Sequence, residues 1–533
     1  MVRAGALAVF RDGGMGRKFV GLLRPGDIVG EFGLLAGTPR SATVIALRDS
    51  EIAEMPGRDF LDAARRVPDA MVEVARLLVS RARSTVSERV TPRVIGIASL
   101  DAAVRARHWA DLLADELRTL GRKVAVLDSA AAAHSPSWWS AMESANDLLV
   151  CSAEADEDAW STVCRRQVDR MLLLADGARA PPAECRLCDS EPLQANGLVD
   201  LVLVQGPTGP ARTAAWLDAV SPATHHHVGP DQGCARLARS LTGCSIALVL
   251  SGGGARAFAH VGAVDVLRRA GVCIDAVCGT SMGAIVAAGV AAGWDSAELD
   301  RRIRDAFVTA NPLDDVALPF VAMTRGRKVE RRLAEHFGDI DIADLPIPFF
   351  CVSADLGTGE PVVHQRGPLA AALRASISLP GVLPPVSMDG RVLVDGGVLR
   401  NLPSELLRAR HDGVIVAVDV SHALGLRPAD VERPRPLGRW FWSGAWRRGP
   451  PIVSILMRSA TLATGPDLLA SRAAADLYVM PDVGGIEIRE WRAYDRAVEA
   501  GRQAMTRALT ELDTPVHLLR QERMAQAAAG AGM

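Results

Sequence analysis

Lysine is nearly missing from this 533-residue chain. Lys18, Lys123 and Lys328 stand among 60 basic residues, and the other 57 are arginine, the mark of a GC-rich coding sequence. Charge of one sign is missing too. A net charge of -2 excludes a molecule that binds nucleic acid by its overall field. Cysteine is sparse and odd in number at nine. The opening Met1-Val2-Arg3 runs into short apolar pieces broken by Arg11, Asp12 and a glycine pair, without a leader pattern. A reducing, cytoplasmic setting is expected. Cys185 and Cys188 form a lone CxxC with no second pair at zinc-ligand spacing, so no structural zinc is expected. Long hydrophobic runs are also absent. The longest, Val272 to Trp294, contains Asp275 and a Gly-Thr-Ser-Met-Gly interruption, which reads as strand, turn and buried helix rather than a membrane span. What remains is 49% hydrophobic and 23% charged, a globular composition that excludes disorder for the bulk of the chain.

At about 150 residues per domain, the length allows three or four domains. Residues 1 to about 66 are short β-like runs broken by glycines. Pro68 to Val90 has helical periodicity, with Met71, Val74, Ala75, Leu78 and Ala82 on one face. From Pro92 strands and helices alternate. Val94–Ala98, Val124–Leu127, Leu148–Val150, Met171–Leu174 and Leu201–Val204 are predicted strands, and Ala102–Leu120 a helix. That pattern predicts a doubly wound α/β module. A second α/β module opens at Ile246, with strands at Ile246–Leu250, Val272–Cys278, Phe349–Ala354 and Val414–Val420. A terminal helix is expected from about Trp491.

Gly279-Thr280-Ser281-Met282-Gly283 is a G-x-S-x-G motif between an apolar strand and an Ala-rich helix. That setting predicts a nucleophile elbow, with Ser281 in a strained turn and Gly279 and Gly283 where side chains would strike backbone. The run Ser251-Gly252-Gly253-Gly254-Ala255-Arg256-Ala257 also sits between a strand and a helix. Its N–H groups can converge on an anion, which suits an oxyanion hole. The spacing Gly252-x-Gly254-x-x-Ala257 also fits a dinucleotide fingerprint, but Asp275 precedes most of the next strand instead of ending it. Asp395-Gly396-Gly397 follows the short strand Val392–Val394 and offers a base. Two arrangements stay open: a Ser281–Asp395 dyad, or a triad completed by His422. A dyad requires a short hydrogen bond, desolvation and strong oxyanion support, because an ordinary aspartate is a weak base.

Taken in order, Gly252-Gly253-Gly254-Ala255-Arg256, Gly279–Gly283 and Asp395-Gly396-Gly397 resemble the patatin-like phospholipases over about residues 246–420. The resemblance implies a patatin-like α/β hydrolase fold and cleavage of lipid acyl esters by a Ser–Asp dyad. Ser281 would be the nucleophile, Asp395 the base, and the amides of Gly252 to Arg256 the oxyanion hole. It implies no metal or organic cofactor. Ala257 stands where the family usually has glycine. A wider resemblance, to bacterial relatives of neuropathy target esterase, implies four regions. These are a cyclic-nucleotide-binding-like domain (1–90), an α/β linker domain (91–243), the patatin-like domain (244–420) and a C-terminal extension packing on it (421–533). His225-His226-His227, with Arg236 to Arg239, resembles the end of that linker, and the triplet reads as a polar interdomain turn. Gly30-Glu31-Phe32-Gly33 with Pro39-Arg40-Ser41-Ala42 resembles a cyclic-nucleotide phosphate cassette. There Arg40 would pair with the phosphate of cAMP or cGMP and Glu31 would accept a ribose hydroxyl. Residues 68–90 would be its helical lid. Only 29 residues precede Gly30, so a partial β-roll is expected. The linker's Ser99-Leu100-Asp101-Ala102-Ala103 lacks the glycines and lysine of a phosphate loop, which makes it a scaffold.

Two patches suit peripheral contact at the inner face of a membrane. One is Arg439-Trp440-Phe441-Trp442 with Trp446-Arg447-Arg448, whose other reading is a packed surface hairpin or a domain contact. The second is Thr324-Arg325-Gly326-Arg327-Lys328, also readable as a solvated loop. The function expected is hydrolysis of phospholipids or lysophospholipids, modulated by a cyclic nucleotide. The alternative is a cyclic-nucleotide sensor or docking protein with an inactive hydrolase domain.

Overall fold

The computed structural model describes residues 1–13, 16–40, 42–67, 92–154, 159–182, 198–205, 212–229, 233–309, 313–317, 321–421 and 465–530, with isolated positions between 71 and 78. These form two compact units, Met1–Thr242 and Gly243–Met533. The 68–90 helix lies largely outside the described residues. Ser41, the Cys185–Cys188 pair, His422 and the Arg439–Arg448 patch lie wholly outside them.

The first unit begins with short antiparallel strands. Leu7–Gly13 pairs with Gly16–Leu23 on one side and Thr43–Ala46 on the other, and Val2–Ala4 pairs with Glu51–Ile52. A six-stranded, all-parallel sheet follows. Its order is Thr224–Val228, Val199–Val204, Arg170–Asp176, Val94–Ser99, Leu148–Ala153 and Val124–Leu127. The central strands are buried on both faces, as their continuous apolar runs require. The helix predicted from Ala102 starts later, at Ala106. The Glu154 carboxylate accepts the Ala106 and Arg107 N–H groups, both at 3.1 Å, and caps that end from a distant strand. The His225–His227 triplet is an edge strand rather than a turn. His226 is pushed down to about 4 by burial and lies 4.0 Å from Asp200. Arg48 ties the roll to the parallel sheet. It is 2.8 Å from Glu143 and 3.9 Å from Asp169, and all three side chains are buried.

The second unit holds an eight-stranded sheet. Its parallel centre runs Phe349–Asp355, Ala276–Thr280, Ile246–Leu250, Val414–Val418 and Leu477–Val479. Arg391–Asp395 and Val386–Met388 extend it antiparallel beyond Phe349–Asp355. The strand predicted from Val272 begins only at Ala276. Asp275 stands before it, and its carboxylate accepts the Ile246 N–H at 3.0 Å. It is a structural brace between strand starts, not the strand-end acid of a dinucleotide site. The helix Met282–Ala291 is buried on every side, which explains its Ala and Gly content: only small residues let surrounding elements approach all round. The helix Ala259–Arg269 crosses Tyr494–Thr510 closely. A methyl at Gly262 would lie 1.9 Å from the Val498 carbonyl, and one at Gly501 would lie 1.8 Å from the Ala259 carbonyl. The helix Tyr494–Thr510 is thereby seated against Ala259–Arg269. Among the described residues, no helix is long and apolar enough to cross a membrane.

Candidate active site

Three strand ends of the second unit meet at one point. Ser281 follows the strand Ala276–Thr280 and caps the helix Met282–Ala291, at φ 54°. A β-carbon in that region is strained, and surrounding contacts hold it there. The fit is tight, because a methyl at Gly283 would sit 2.3 Å from the Ser251 carbonyl oxygen, and one at Gly279 2.7 Å from the Gly283 backbone. Asp395 ends the strand Arg391–Asp395, placed opposite Ser353 by antiparallel pairing. Ser281 Oγ donates to Asp395 Oδ2 at 2.5 Å. The other carboxylate oxygen accepts the Gly397 N–H at 2.7 Å.

Asp395 is 2% exposed. Burial raises its pKa to about 6, against the hydrogen bonds from Ser281 and Gly397, which lower it. A carboxylate with a pKa near 6 is a far better proton acceptor at neutral pH than an ordinary one, and it stays ionised at pH 7. Among the described residues, no histidine joins this pair. His364, the nearest in the sheet, bonds Ser353 Oγ at 2.7 Å instead.

The glycine loop lies alongside. A methyl at Gly252 would lie 3.0 Å from Ser281 Cβ. Hydrogen-bond accounting divides the five loop amides. Gly252 N–H donates to the Asn401 carbonyl at 3.2 Å, Ala255 N–H to the Ile488 carbonyl at 2.8 Å, and Arg256 N–H to the Gly253 carbonyl at 3.2 Å. The N–H groups of Gly253 and Gly254 have no acceptor among the described residues. Gly254 takes φ 57°, and a methyl there would strike the Ile488 carbonyl at 2.3 Å. Ala257, the departure from glycine, is buried in the apolar core under the loop.

Four supports were not legible in the sequence. Ser376 Oγ accepts the Ser281 N–H at 3.0 Å and donates to the Val352 carbonyl at 2.7 Å. The Ser378 carbonyl accepts the Asp395 N–H at 2.9 Å. Asn401 Nδ2 donates to the Gly252 carbonyl at 3.2 Å, completing a two-way clasp with that residue. His260 is fully buried and held near pKa 4 by desolvation, so it is neutral and donates from Nε2 to the Ser251 carbonyl at 2.8 Å. The Ile486–Ile488 segment is a further brace, since Arg256 Nε donates to the Ile486 carbonyl at 2.6 Å.

In the first unit, Arg40 Nη1 donates to the Gly30 carbonyl, and Glu31 begins the helix Glu31–Ala36. Gly30, Glu31 and Arg40 are therefore adjacent, with Glu31 buried and Arg40 exposed. Among the described residues, no cluster of three His, Cys, Asp or Glu side chains could hold a metal.

Comparison with known proteins agrees with this architecture. Residues 248–408 match the family model of patatin-like phospholipase, and residues 1–67 that of the cyclic nucleotide-binding domain. An uncharacterized NTE family protein of Mycobacterium tuberculosis is 34% identical over 505 residues, covering 91% of this chain and 84% of the relative. Patatin-like phospholipase domain-containing protein 6 of Homo sapiens is 28% identical over 484 residues, covering 78% of this chain and 35% of the relative. Neuropathy target esterase sws of Drosophila melanogaster is 27% identical over 470 residues, covering 76% of this chain and 33% of the relative. The chain belongs to the NTE family: it is a hydrolase of the phospholipase and esterase class, joining a cyclic nucleotide-binding domain to a patatin domain.

Proposed function

We propose that this chain hydrolyses acyl esters of phospholipids and lysophospholipids through Ser281 and Asp395. The observation that carries the reading is the 2.5 Å hydrogen bond from the strained Ser281 to a buried carboxylate. Ser281 Oγ attacks the acyl carbonyl carbon while its proton passes to Asp395 Oδ2. The carbonyl oxygen becomes an oxyanion, received by the N–H groups of Gly253 and Gly254. As the ester C–O bond breaks, Asp395 returns the proton to the leaving alcohol, and the acyl group stays on Ser281. Asp395 then takes a proton from water, which attacks the acyl carbonyl. Ser281 leaves as the hydroxyl and the fatty acid is released.

Gly30, Glu31 and Arg40 support a second ligand, cAMP or cGMP, that modulates the hydrolase. Arg40 would leave the Gly30 carbonyl to pair with the cyclic phosphate. A fluorophosphonate probe tests the catalytic reading. Covalent labelling lost in Ser281→Ala is expected, together with loss of fatty acid release from lysophosphatidylcholine. An unlabelled wild-type protein would favour the sensor or docking alternative. Titration calorimetry with cAMP and cGMP tests the nucleotide reading, and no heat with either would remove it.

A further inference from the structure

One short stretch holds the backbone of both Ser281 and Asp395. The helix Leu369–Ser376 runs out into Ile377 and Ser378. Ser376 Oγ accepts the Ser281 N–H at 3.0 Å, and two residues on, the Ser378 carbonyl accepts the Asp395 N–H at 2.9 Å. Ser376 is itself fixed, because its Oγ donates to the Val352 carbonyl at 2.7 Å. The separation of Ser281 from Asp395 therefore depends on how this stretch is held. A helix end frays unless groups outside the helix tie it down.

Arg374, on the last turn of that helix, supplies the tie. It is 5% exposed. Its Nη1 donates to Ser378 Oγ at 2.6 Å, its Nη2 to the Pro384 carbonyl at 3.2 Å and its Nε to Glu330 Oε1 at 3.2 Å. Ser378 Oγ donates in turn to the Arg374 carbonyl at 2.7 Å. The guanidinium thus joins the helix end, the loop at Pro384 and the helix Arg327–Phe337 that carries Glu330. Gly326 leaves room for it, since a methyl there would lie 2.6 Å from Nη2. Burial disfavours the charge, and Glu330, followed by Asp315, opposes that. A rigid fork engaged by three partners fixes Ser378 in place. Arg374 does not act on Asp395 by charge, because the influences on that carboxylate are burial, the Ser281 hydroxyl and the Gly397 N–H.

We propose that Arg374 is a positioning residue for ester hydrolysis, which acts through Ser378 to keep Asp395 within hydrogen-bond reach of Ser281. The proposal rests on the Ser281–Asp395 reading of the site. The link is mechanical. When Ser378 drifts, the Asp395 backbone drifts with it, while Ser376, held by the Val352 carbonyl, keeps Ser281 where it is. A misplacement of about 1 Å in such a pair costs about 100-fold in rate. The carboxylate also loses the hydrogen bond from Ser281 that lowers its pKa, so it holds its proton to higher pH.

Arg374→Met keeps the apolar stem and removes the fork. For a water-soluble short-chain ester, kcat per site titrated with a fluorophosphonate is expected to fall about 30- to 100-fold, with KM within about twofold. The acid limb of kcat/KM should move upward from about 6. Arg374→Lys keeps a charge for Glu330 without the fork and should recover part of the rate. Ser378→Ala removes the Oγ link and keeps the carbonyl, so it tests the same step should the methionine variant not fold. There a loss of about 5- to 10-fold in kcat is expected, with the same upward limb. Hydrogen exchange gives a readout apart from activity. The Asp395 amide should exchange about tenfold faster in either variant, and the Ile246–Leu250 amides should not. A lowered rate with an unmoved limb, a change confined to KM, or unaltered exchange at Asp395 would each overturn the proposal. An unsubstituted enzyme that neither labels nor turns over ester would instead count against the Ser–Asp reading, with exchange at Asp395 still deciding whether Arg374 places that residue.

Discussion

The two large sheets of this protein each place a serine at the end of a central parallel strand, and the two serines have opposite fates. Ser99 ends the strand Val94–Ser99, with its Oγ 2.6 Å from both the Asp101 and Val104 carbonyls. Its hydroxyl is used up by its own loop, as short polar side chains in turns commonly are. Ser281 ends a strand of the second sheet, but its backbone is twisted to φ 54° and its hydroxyl faces a buried carboxylate. In the proposed mechanism a strand-end hydroxyl can act as nucleophile because the backbone turns it away from local carbonyls and toward a carboxylate. The difference lies in the turn and its neighbours, since both strands are largely buried.

The sharpest way to break this comparison is to remove each hydroxyl. Ser281→Ala is expected to lower ester hydrolysis by about 10⁴-fold or more, whereas Ser99→Ala should stay within about twofold. A steady-state assay on a short-chain ester reads both, and an active Ser281→Ala protein would end the argument.

Asp395→Asn should cost about 10³- to 10⁴-fold in kcat, while acting in the opposite direction on stability. The pKa of Asp395 is raised by burial to about 6 in the folded chain. Its contribution to stability is therefore fully present below the unfolded value and is lost as pH rises through about 6, where the buried group must ionise. A shift of about two units corresponds to roughly 3 kcal/mol, so the Asn variant should be more stable at pH 8 by up to that amount in chemical denaturation. In the unsubstituted enzyme, kcat/KM is expected to climb about tenfold per pH unit below 6 and level off above it.

Gly283→Ala tests whether the elbow tolerates any side chain. With a methyl 2.3 Å from the Ser251 carbonyl, backbone must move, and a loss of about 1–3 kcal/mol is expected in chemical denaturation. Among the site substitutions, Ser376→Ala gives the mildest catalytic effect. It leaves the Ser281 N–H without its acceptor, and kcat should fall about 10- to 100-fold with KM nearly unchanged. A change confined to KM would remove Ser376 from the positioning of the nucleophile.

Much of the α/β architecture was open to reading in advance, because buried parallel strands must be unbroken apolar runs and glycines must stand where backbone crosses backbone. The motifs around Ser281 and Asp395 carry their spacing in the chain for that reason. Element starts were less legible. The Ala106 helix waits for a carboxylate from Glu154, and the Ala276 strand begins only after Asp275 has braced Ile246. The His225–His227 strand was missed because three polar residues do not alternate, and the partners of His226, Thr224 with Asp200 beyond it, meet it only in the folded sheet.

Residue order by itself determined which short segments turn, which strands are buried and which side chains could carry chemistry, since these follow from local sterics and apolar periodicity. Tertiary structure alone decided that a serine and an aspartate 114 residues apart are joined by a hydrogen bond, and that two of five loop amides have no acceptor among the described residues. The reason is physical. Desolvation of Asp395 and the clasp of Asn401 and Ile488 on the glycine loop arise from groups that meet only after the sheet has closed around them.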